Sequence, residues 1–320
     1  MSLLHKQSLN ADEYIYMESE ISASFTLTRF DSDPEEITTI LGILPTKTWK
    51  IGDVIGKGIL RRKQNGWILE SQLEKTVDLE SHIKDVLARL QPSWEKLVEI
   101  CPQYYTEISG VIYCYDPKSP AIHFNNEIIK SAFELNTEID VDYYFLYEYV
   151  YSGFHSDEVQ HYIARCKGTA LPCPYGCTLL GRETLYMESE ISAAFTLTGF
   201  DSDPEEITKI LEILPTETCR VGDVIGKSIL RRKQNAWVLK SQLEKTANLE
   251  NHIKDVLARL KPSWQKLVEI CSKYDSEISC VIYSVEAQGE VISFDKEIIK
   301  SAFEFNAEID VDYYCLHKSE

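Results

Sequence analysis

Between Ile21 and Thr28 apolar and polar residues alternate strictly, Ile21, Ala23, Phe25 and Leu27 against Ser22, Ser24, Thr26 and Thr28. A period of two predicts a strand with one packed face and one face toward solvent or another layer. Asp33 followed by Pro34, Glu35 and Glu36 predicts a helix start: a capping acceptor, a proline at the first helical position, and acids at the positive end of the dipole. Ile37, Ile40 and Leu41 then face inward and Gly42 suits the stop. After an irregular span, Trp67, Ile68 and Leu69 read as a second strand. Leu79, Ile83, Val86, Leu87 and Leu90 form one stripe of an amphipathic helix, which Pro92 interrupts before a second stripe of Trp94, Leu97, Val98 and Cys101. Strands are expected around Glu107 to Cys114 and Ile122 to Phe124, with the turn-rich stretch Tyr115 to Ala121 as the loop of a hairpin. A short helix from Glu127 to about Leu135 and a last strand, Ile139 to Leu146, complete the pattern.

The whole pattern then recurs. Residues 16–146 realign on 186–316 with a constant shift of 170 and no gap, and about 95 of roughly 131 positions are identical. So long a period excludes a solenoid repeat and predicts two similar domains, each large enough for its own core. The chain divides into an N-terminal tail (1–15), a first module (16–146), a linker (147–185) rich in Gly, Pro, Cys and Thr toward its end, a second module (186–316) and a C-terminal tail (317–320). Strands joined through helices, plus one hairpin, predict an α+β fold: two ferredoxin-like modules, each a mixed β-sheet with helices packed on one face. Near identity also suggests that the modules pack as a pseudo-twofold pair.

Composition narrows the function classes. With 33 basic and 51 acidic residues the net charge is −18, which disfavours a nucleic-acid partner. No apolar run is long enough for a secretory signal or a membrane span, so no membrane partner and a cytoplasmic location are expected. Nine cysteines in such a chain read as reduced, mostly buried thiols.

Several segments together carry a family resemblance: FTLTRFDSDPEEITTILGILPTKTWKIGD, then GWILES, the amphipathic helix ahead of PSWEKL, EISGVIY and IDVDYYFL. In order and spacing the sequence resembles the bacterial domain-of-unknown-function family numbered 4279 over nearly all of both copies. Cys219 stands in the second copy where the family's PTxTW segment has tryptophan. The resemblance implies a small bacterial α+β domain and brings no activity, cofactor or catalytic residue with it.

The candidate chemistry is sparse. One stretch of each acidic module is basic: Lys47, Lys50, Lys57, Arg61, Arg62 and Lys63 stand against Asp53 in the first copy, and Arg220, Lys227, Arg231, Arg232 and Lys233 against Glu217 and Asp223 in the second. With Trp49, Trp67 and Trp237 nearby, the stretch suits an acidic partner or small anion held by guanidinium forks against an aromatic wall; the competing reading is a solvated loop paired with the module's own carboxylates. The run from Gly222 to Ser228 has three residues between its glycines where a phosphate-binding loop has four, so it reads as a turn. Glu138, Asp140 and Asp142, repeated as Glu308, Asp310 and Asp312, share one face of the last strand, as a solvated face or a cation site. His155, His161, Cys166, Cys173 and Cys177 lack regular zinc spacing, Cys101 and Cys271 read as packing, and His82 and His252 show no partner. No metal, no cofactor and no catalytic residue is expected. The balance favours a non-catalytic binding protein, an immunity-type or accessory interaction module with a basic protein partner; a small-ligand or anion sensor built on the basic segment is the alternative, and an enzyme of unrecognised type a remote one.

Overall fold

The computed structural model describes residues 18–56, 58–115, 119–146, 189–224, 230–284 and 291–315. The first module contains β1 (Glu20–Thr28), α1 (Pro34–Leu41), β2 (Lys47–Trp49), β3 (Gly66–Glu70), α2 (Leu79–Leu90), α3 (Trp94–Ile100), β4 (Tyr105–Cys114), β5 (Ile122–Phe124), α4 (Asn126–Glu134) and β6 (Glu138–Phe145). The second repeats them as β7 (Glu190–Thr198), α5 (Pro204–Leu211), β8 (Glu217–Cys219), β9 (Ala236–Lys240), α6 (Leu249–Leu260), α7 (Trp264–Cys271), β10 (Asp275–Ser284), β11 (Val291–Phe294), α8 (Lys296–Glu304) and β12 (Ala307–Cys315). Two three-residue strands, β2 and β8, occupy the span that reads as irregular from sequence. None of the helices of the described residues is long and apolar enough to cross a membrane.

Local chemistry starts the helices where expected. Asp33 accepts from the Glu35 amide at 3.1 Å, Asp78 from Ser81 at 2.8 Å and Asn125 from Ile128 at 3.0 Å, each satisfying an amide that the helix cannot. Gly42 ends α1 at φ +65°, and the second copy places Glu212 in the same left-handed conformation at φ +57°. That substitution carries a conformational cost glycine avoids.

In each sheet the central strand, β1 or β7, is antiparallel to both neighbours, and one parallel pair follows, β4 with β6 or β10 with β12. The inner face of β1 (Ile21, Ala23, Phe25, Leu27) is buried, as is the α2 stripe of Leu79, Ile83, Val86, Leu87 and Leu90. The α+β class and the two mixed sheets agree with the sequence pattern. The finer ferredoxin-like description is not confirmed, because the parallel strands β4 and β6 are direct neighbours, whereas a split βαβ unit places another strand between its parallel pair.

The expected hairpin of β4 and β5 is corrected by the structure. Strand β5 leaves its own module and pairs antiparallel with β12, Ile122 opposite Val311 and Phe124 opposite Ile309. Reciprocally β11 pairs with β6, Ile292 opposite Val141 and Phe294 opposite Ile139. The sheets therefore read β11-β6-β4-β1-β3-β2 and β5-β12-β10-β7-β9-β8, each closed at one edge by a strand of the other module. Turn-forming residues in the connection show where the chain bends, not which edge the next strand joins.

At the junction each aromatic residue meets its own counterpart, as on a twofold axis. Phe133 stacks on Phe303 at 4.3 Å, Tyr143 on Tyr313 at 4.2 Å, and Phe124 meets Phe294 edge-on at 5.7 Å. The two expected cores are consequently one continuous cluster. Ile122, Phe124, Ile292 and Phe294 are all fully buried there. Exposing four such side chains together costs about 6–12 kcal/mol, comparable with the whole stability of a typical domain. Cleavage of the full chain at a protease site placed in the linker should therefore leave the halves together, sedimenting as one particle of the intact mass. Separation into two free modules would contradict the exchange.

Candidate functional site

The basic segment forms a ribbon leading from β2 to β3. Val54 and Arg61 bridge, the Arg62 amide donates to the Asp53 carbonyl at 2.8 Å and the Gly52 amide to the Arg62 carbonyl at 2.9 Å. The Asp53 carboxylate accepts from the Lys50 amide at 2.7 Å, so it braces the turn, and Asp223 repeats this with Arg220. Buried Asn65 ties the ribbon to the β1–α1 connection, accepting from the Ile51 amide and donating to the Phe30 and Ser32 carbonyls; Asn235 does the same in the second module. In the first copy Gly52 and Gly56, the counterparts of the glycines in the run from Gly222 to Ser228, lie within this ribbon at φ +90° and +60°. Lys57 and residues 225–229, which include most of that run, lie outside the described residues.

The structure brings some of the candidate residues together and separates others. Trp67 and Trp237 are 0% exposed, their indoles donating to Thr38 and Thr208 at 3.2 and 3.1 Å, and belong to the core. Trp49 lies flat over Gly66, and the Arg62 guanidinium sits over its ring 4.2 Å from the centroid. Arg61 and Arg231 each donate to a turn carbonyl, Gly52 or Gly222, at 2.7 Å. Lys47 pairs with Glu70, and Lys50 with Asp33. In the second module Arg220 pairs with Asp203, while Arg232 lies 4.0 Å from Glu217. Lys47, Trp49, Val54 and Arg62 line a shallow groove beside β2.

Two differences between the copies have a direct steric or electrostatic cause. A Cβ at Gly66 would lie 2.1 Å from the Trp49 ring, and where the second copy has Ala236 it has Cys219 in place of the ring. The pair Lys47–Glu70 is reversed as Glu217–Lys240 at 2.6 Å.

The second candidate surface is the open face of each sheet. Parallel register sets Glu107 beside Glu138, Ser109 beside Asp140 and Val111 beside Asp142. The copy sets Glu277 beside Glu308, Ser279 beside Asp310 and Val281 beside Asp312. Like charges side by side on one sheet face repel, yet none of the first four carboxylates has a lysine or arginine ion pair among the described residues. Tyr105 donates to Glu107 and Glu138 at 2.9 and 3.1 Å, while Arg29 lies over the Tyr105 ring. The exchanged strands complete both rows. Ser293 of β11 hydrogen-bonds Asp140, and His123 of β5 stands 3.7 Å from Glu308 and 3.5 Å from Asp310. Burial, and then the charges of Glu107, Glu138 and Asp142 acting against the Ser293 hydrogen bond, push the Asp140 carboxyl up to about 6. Burial and then Glu107 raise Asp142; burial and then Asp310 raise Glu277 and Asp312.

The remaining candidates are structural. Cys101 and Cys271 are buried, with thiols pushed up to about 12 by burial, so neither supplies a thiolate at neutral pH. His82 and His252 do have a partner that sequence reading misses, the hydroxyls of Ser71 and Ser241 at 2.9 Å across the β3–α2 connection. Both residues are 1% exposed and their Nε2 atoms have no hydrogen-bond partner, so neither Nε2 meets a nucleophile or the proton of a bound substrate. Burial lowers both. Asp33 caps its helix. Among the described residues no group of three or more His, Cys, Asp and Glu side chains is arranged to hold a metal ion. His155, His161, Cys166, Cys173 and Cys177 lie outside the described residues.

The family model for the domain of unknown function DUF4279 matches residues 19–146 and again 189–316. The chain belongs to the DUF4279 family. It holds two copies of the domain, with the exchanged strand of each lying inside the matched segment. No curated protein matches it.

Two predictions follow from this geometry. Gly66→Ala should cost about 1–3 kcal/mol through its clash with Trp49, and Trp49→Cys in the same chain should recover most of that loss, giving a clear coupling in a chemical-denaturation cycle. The second concerns pH. An aspartate whose folded value is raised destabilises the fold at neutral pH, and that cost disappears as pH falls through about 6 toward the unfolded value. Asp140→Asn should thus stabilise the protein at pH 7 by about 1–2 kcal/mol, after allowance for solvent screening. The gain should vanish near pH 4. His82 and His252 act in the opposite sense, losing stability as pH falls through the ordinary histidine range, so the difference between variant and wild type is the quantity to follow.

Proposed function

We propose that this DUF4279 protein is a non-catalytic interaction protein whose two acidic sheet faces receive the basic surface of a protein partner. The observation that carries this reading is the pair of carboxylate rows set side by side, with Asp140, Asp142, Glu277 and Asp312 raised by burial and then by neighbouring acids. The rows have no lysine or arginine ion pair among the described residues, His123 alone standing near Glu308 and Asp310. Such rows cost stability in the free protein and are relieved when lysine or arginine side chains approach. Their duplication gives two similar contacts on one particle, so a partner with two basic patches gains effective concentration at the second. Complementary charge also speeds encounter and excludes acidic competitors.

The anion-sensor reading is weakened in the second module, where Arg220 and Arg232 lie with the module's own acids. Buried, unactivated cysteines and histidines give no support to catalysis.

A labelled lysine- and arginine-rich peptide of about a dozen residues tests the proposal. It should bind the full chain more tightly than its glutamine-substituted counterpart and weaken as salt rises. The quadruple variant Asp140→Asn, Asp142→Asn, Asp310→Asn, Asp312→Asn should lose about tenfold or more in affinity while melting no lower than wild type. Equal affinity in variant and wild type would overturn the assignment of the acidic faces.

A further inference from the structure

We propose that the β2–β3 ribbon of the first module is a second docking site, for an acidic protein segment that carries an apolar side chain, and that the equivalent ribbon of the second module has lost this capacity. The surface is independent of the acidic faces, and its ligand has the opposite charge.

The ribbon's cationic groups fall into two sets. Lys47 and Lys50 are held by Glu70 and Asp33. Arg61, Arg62 and Lys63 form no ion pair among the described residues. Arg61 uses one guanidinium nitrogen on the Gly52 carbonyl, and Arg62 is laid on the Trp49 ring. Both guanidinium groups are thereby fixed in orientation with donor edges left over, the arrangement that receives carboxylates in bidentate fashion at small entropic cost. Beside them stand apolar side chains that a protein of this charge has no folding reason to present. Ile59 is 95% exposed and Leu60, Val54 and Ile51 are at least half exposed. Exposed apolar residues grouped with arginine and tryptophan have the composition of interaction hot spots.

Charge complementarity selects the occupant. The ribbon stretch from Lys47 to Lys63 carries six cationic residues and one acid within a chain of net charge −18. A nucleic acid or an anionic bilayer extends far beyond the ribbon, onto the acidic remainder of the molecule. At physiological salt the screening length is about 8 Å, so a compact acidic segment meets the ribbon's own field and little else. The apolar tip adds a contact that a free inorganic anion cannot use.

Where it is described, the second ribbon keeps the Val224–Arg231 bridge and exposed Val221, Val224 and Leu230 but lacks the groups that fix the cation. Cys219 removes the ring on which the arginine is laid, Glu217 stands where Lys47 stood, and Arg232 lies 4.0 Å from that glutamate. The covalent pair is therefore asymmetric in function: two similar acidic faces, one competent basic ribbon.

The test uses the full chain and a labelled peptide of about a dozen residues, rich in Asp and Glu around a central Leu-Phe. Its controls are the Asn/Gln counterpart, a short oligothymidylate, and vesicles of phosphatidylcholine and phosphatidylserine in a three-to-one ratio. The acidic peptide is expected to bind best. Arg61→Ala with Arg62→Ala should weaken it about tenfold or more, Ile59→Ser should weaken it several-fold without altering charge, and Arg231→Ala with Arg232→Ala should change it less than twofold. Arg62→Lys, which keeps the charge and loses the fork, should fall between wild type and the double variant. Binding of the acidic peptide no better than its neutral counterpart, equal loss from the two double variants, or tighter binding of the oligonucleotide or the vesicles would each overturn the proposal. Because the probe here is acidic and that for the sheet faces basic, either assignment can fail while the other stands.

Discussion

Each sheet of this protein would end, within its own module, on the strand that follows the parallel crossover, β6 or β12. That edge has unpaired amides and carbonyls along one side and apolar residues at 139, 141 and 143 beneath it, a combination that water satisfies poorly and other strands readily join. The module has a short strand to offer, and that strand pairs with the other module's edge. Helices α4 and α8 follow their strands across and bring Phe133 onto Phe303, and the apolar layers fuse into one core. The duplication is thus more than two beads on a string. It supplies in one chain the partner that the edge requires, at an effective concentration fixed by the linker.

The same exchange sets the chemistry of the open faces. The acidic row of one module is finished by a residue of the other, and because position 123 is histidine where position 293 is serine, the two nearly identical rows end differently. Divergence elsewhere is compensated within a module. Tryptophan over glycine becomes cysteine over alanine, and a lysine–glutamate pair changes sign. Where the second copy forces Glu212 into the left-handed region, its carboxylate pairs with Lys266 at 2.8 Å. Backbone geometry has been kept while the side chains presented on it have changed.

Much of this was legible in the chain, for physical reasons that also define what was not. Periodicity is local, so β1, the α2 stripe and the capped start of α1 stand where alternation and capping chemistry put them. The strand-to-strand register that sets Glu107 beside Glu138 depends on two distant segments, and the exchange of β5 depends on an edge that only the assembled sheet possesses. Turn residues between Tyr115 and Ala121 look the same whether the next strand folds back or crosses over. Trp67 and Trp49, both near the basic residues in sequence, part ways because strand alternation sends one ring to the core and the other to the open face. The hydroxyls of Ser71 and Ser241 beside the buried histidines left no sequence signal, since a serine eleven residues away is unremarkable until the connection folds.

The opposed charges of the two surfaces survive in one module because the sheet separates them. From β2 to β4, where the acidic row begins at Glu107, there are three strand steps of about 4.8 Å, roughly 14 Å in all, and β1 between them presents Ser22, Ser24 and Thr26 on that face. That distance exceeds the screening length of physiological salt, about 8 Å, so basic ribbon and acidic row neutralise one another only weakly, and neither needs the other for stability. Had the two lain on adjacent strands they would have closed into salt bridges, as Lys47 and Glu70 do across β2 and β3, and each surface would have been silent toward a partner. Separation by the serine and threonine face of β1 keeps both charges available for binding, and placing the acidic row against the exchanged strand, with the ribbon at the far edge, lets one alter without disturbing the other. The loss of Trp49 and Lys47 from the second copy alongside retention of its carboxylates is the pattern that such independence permits.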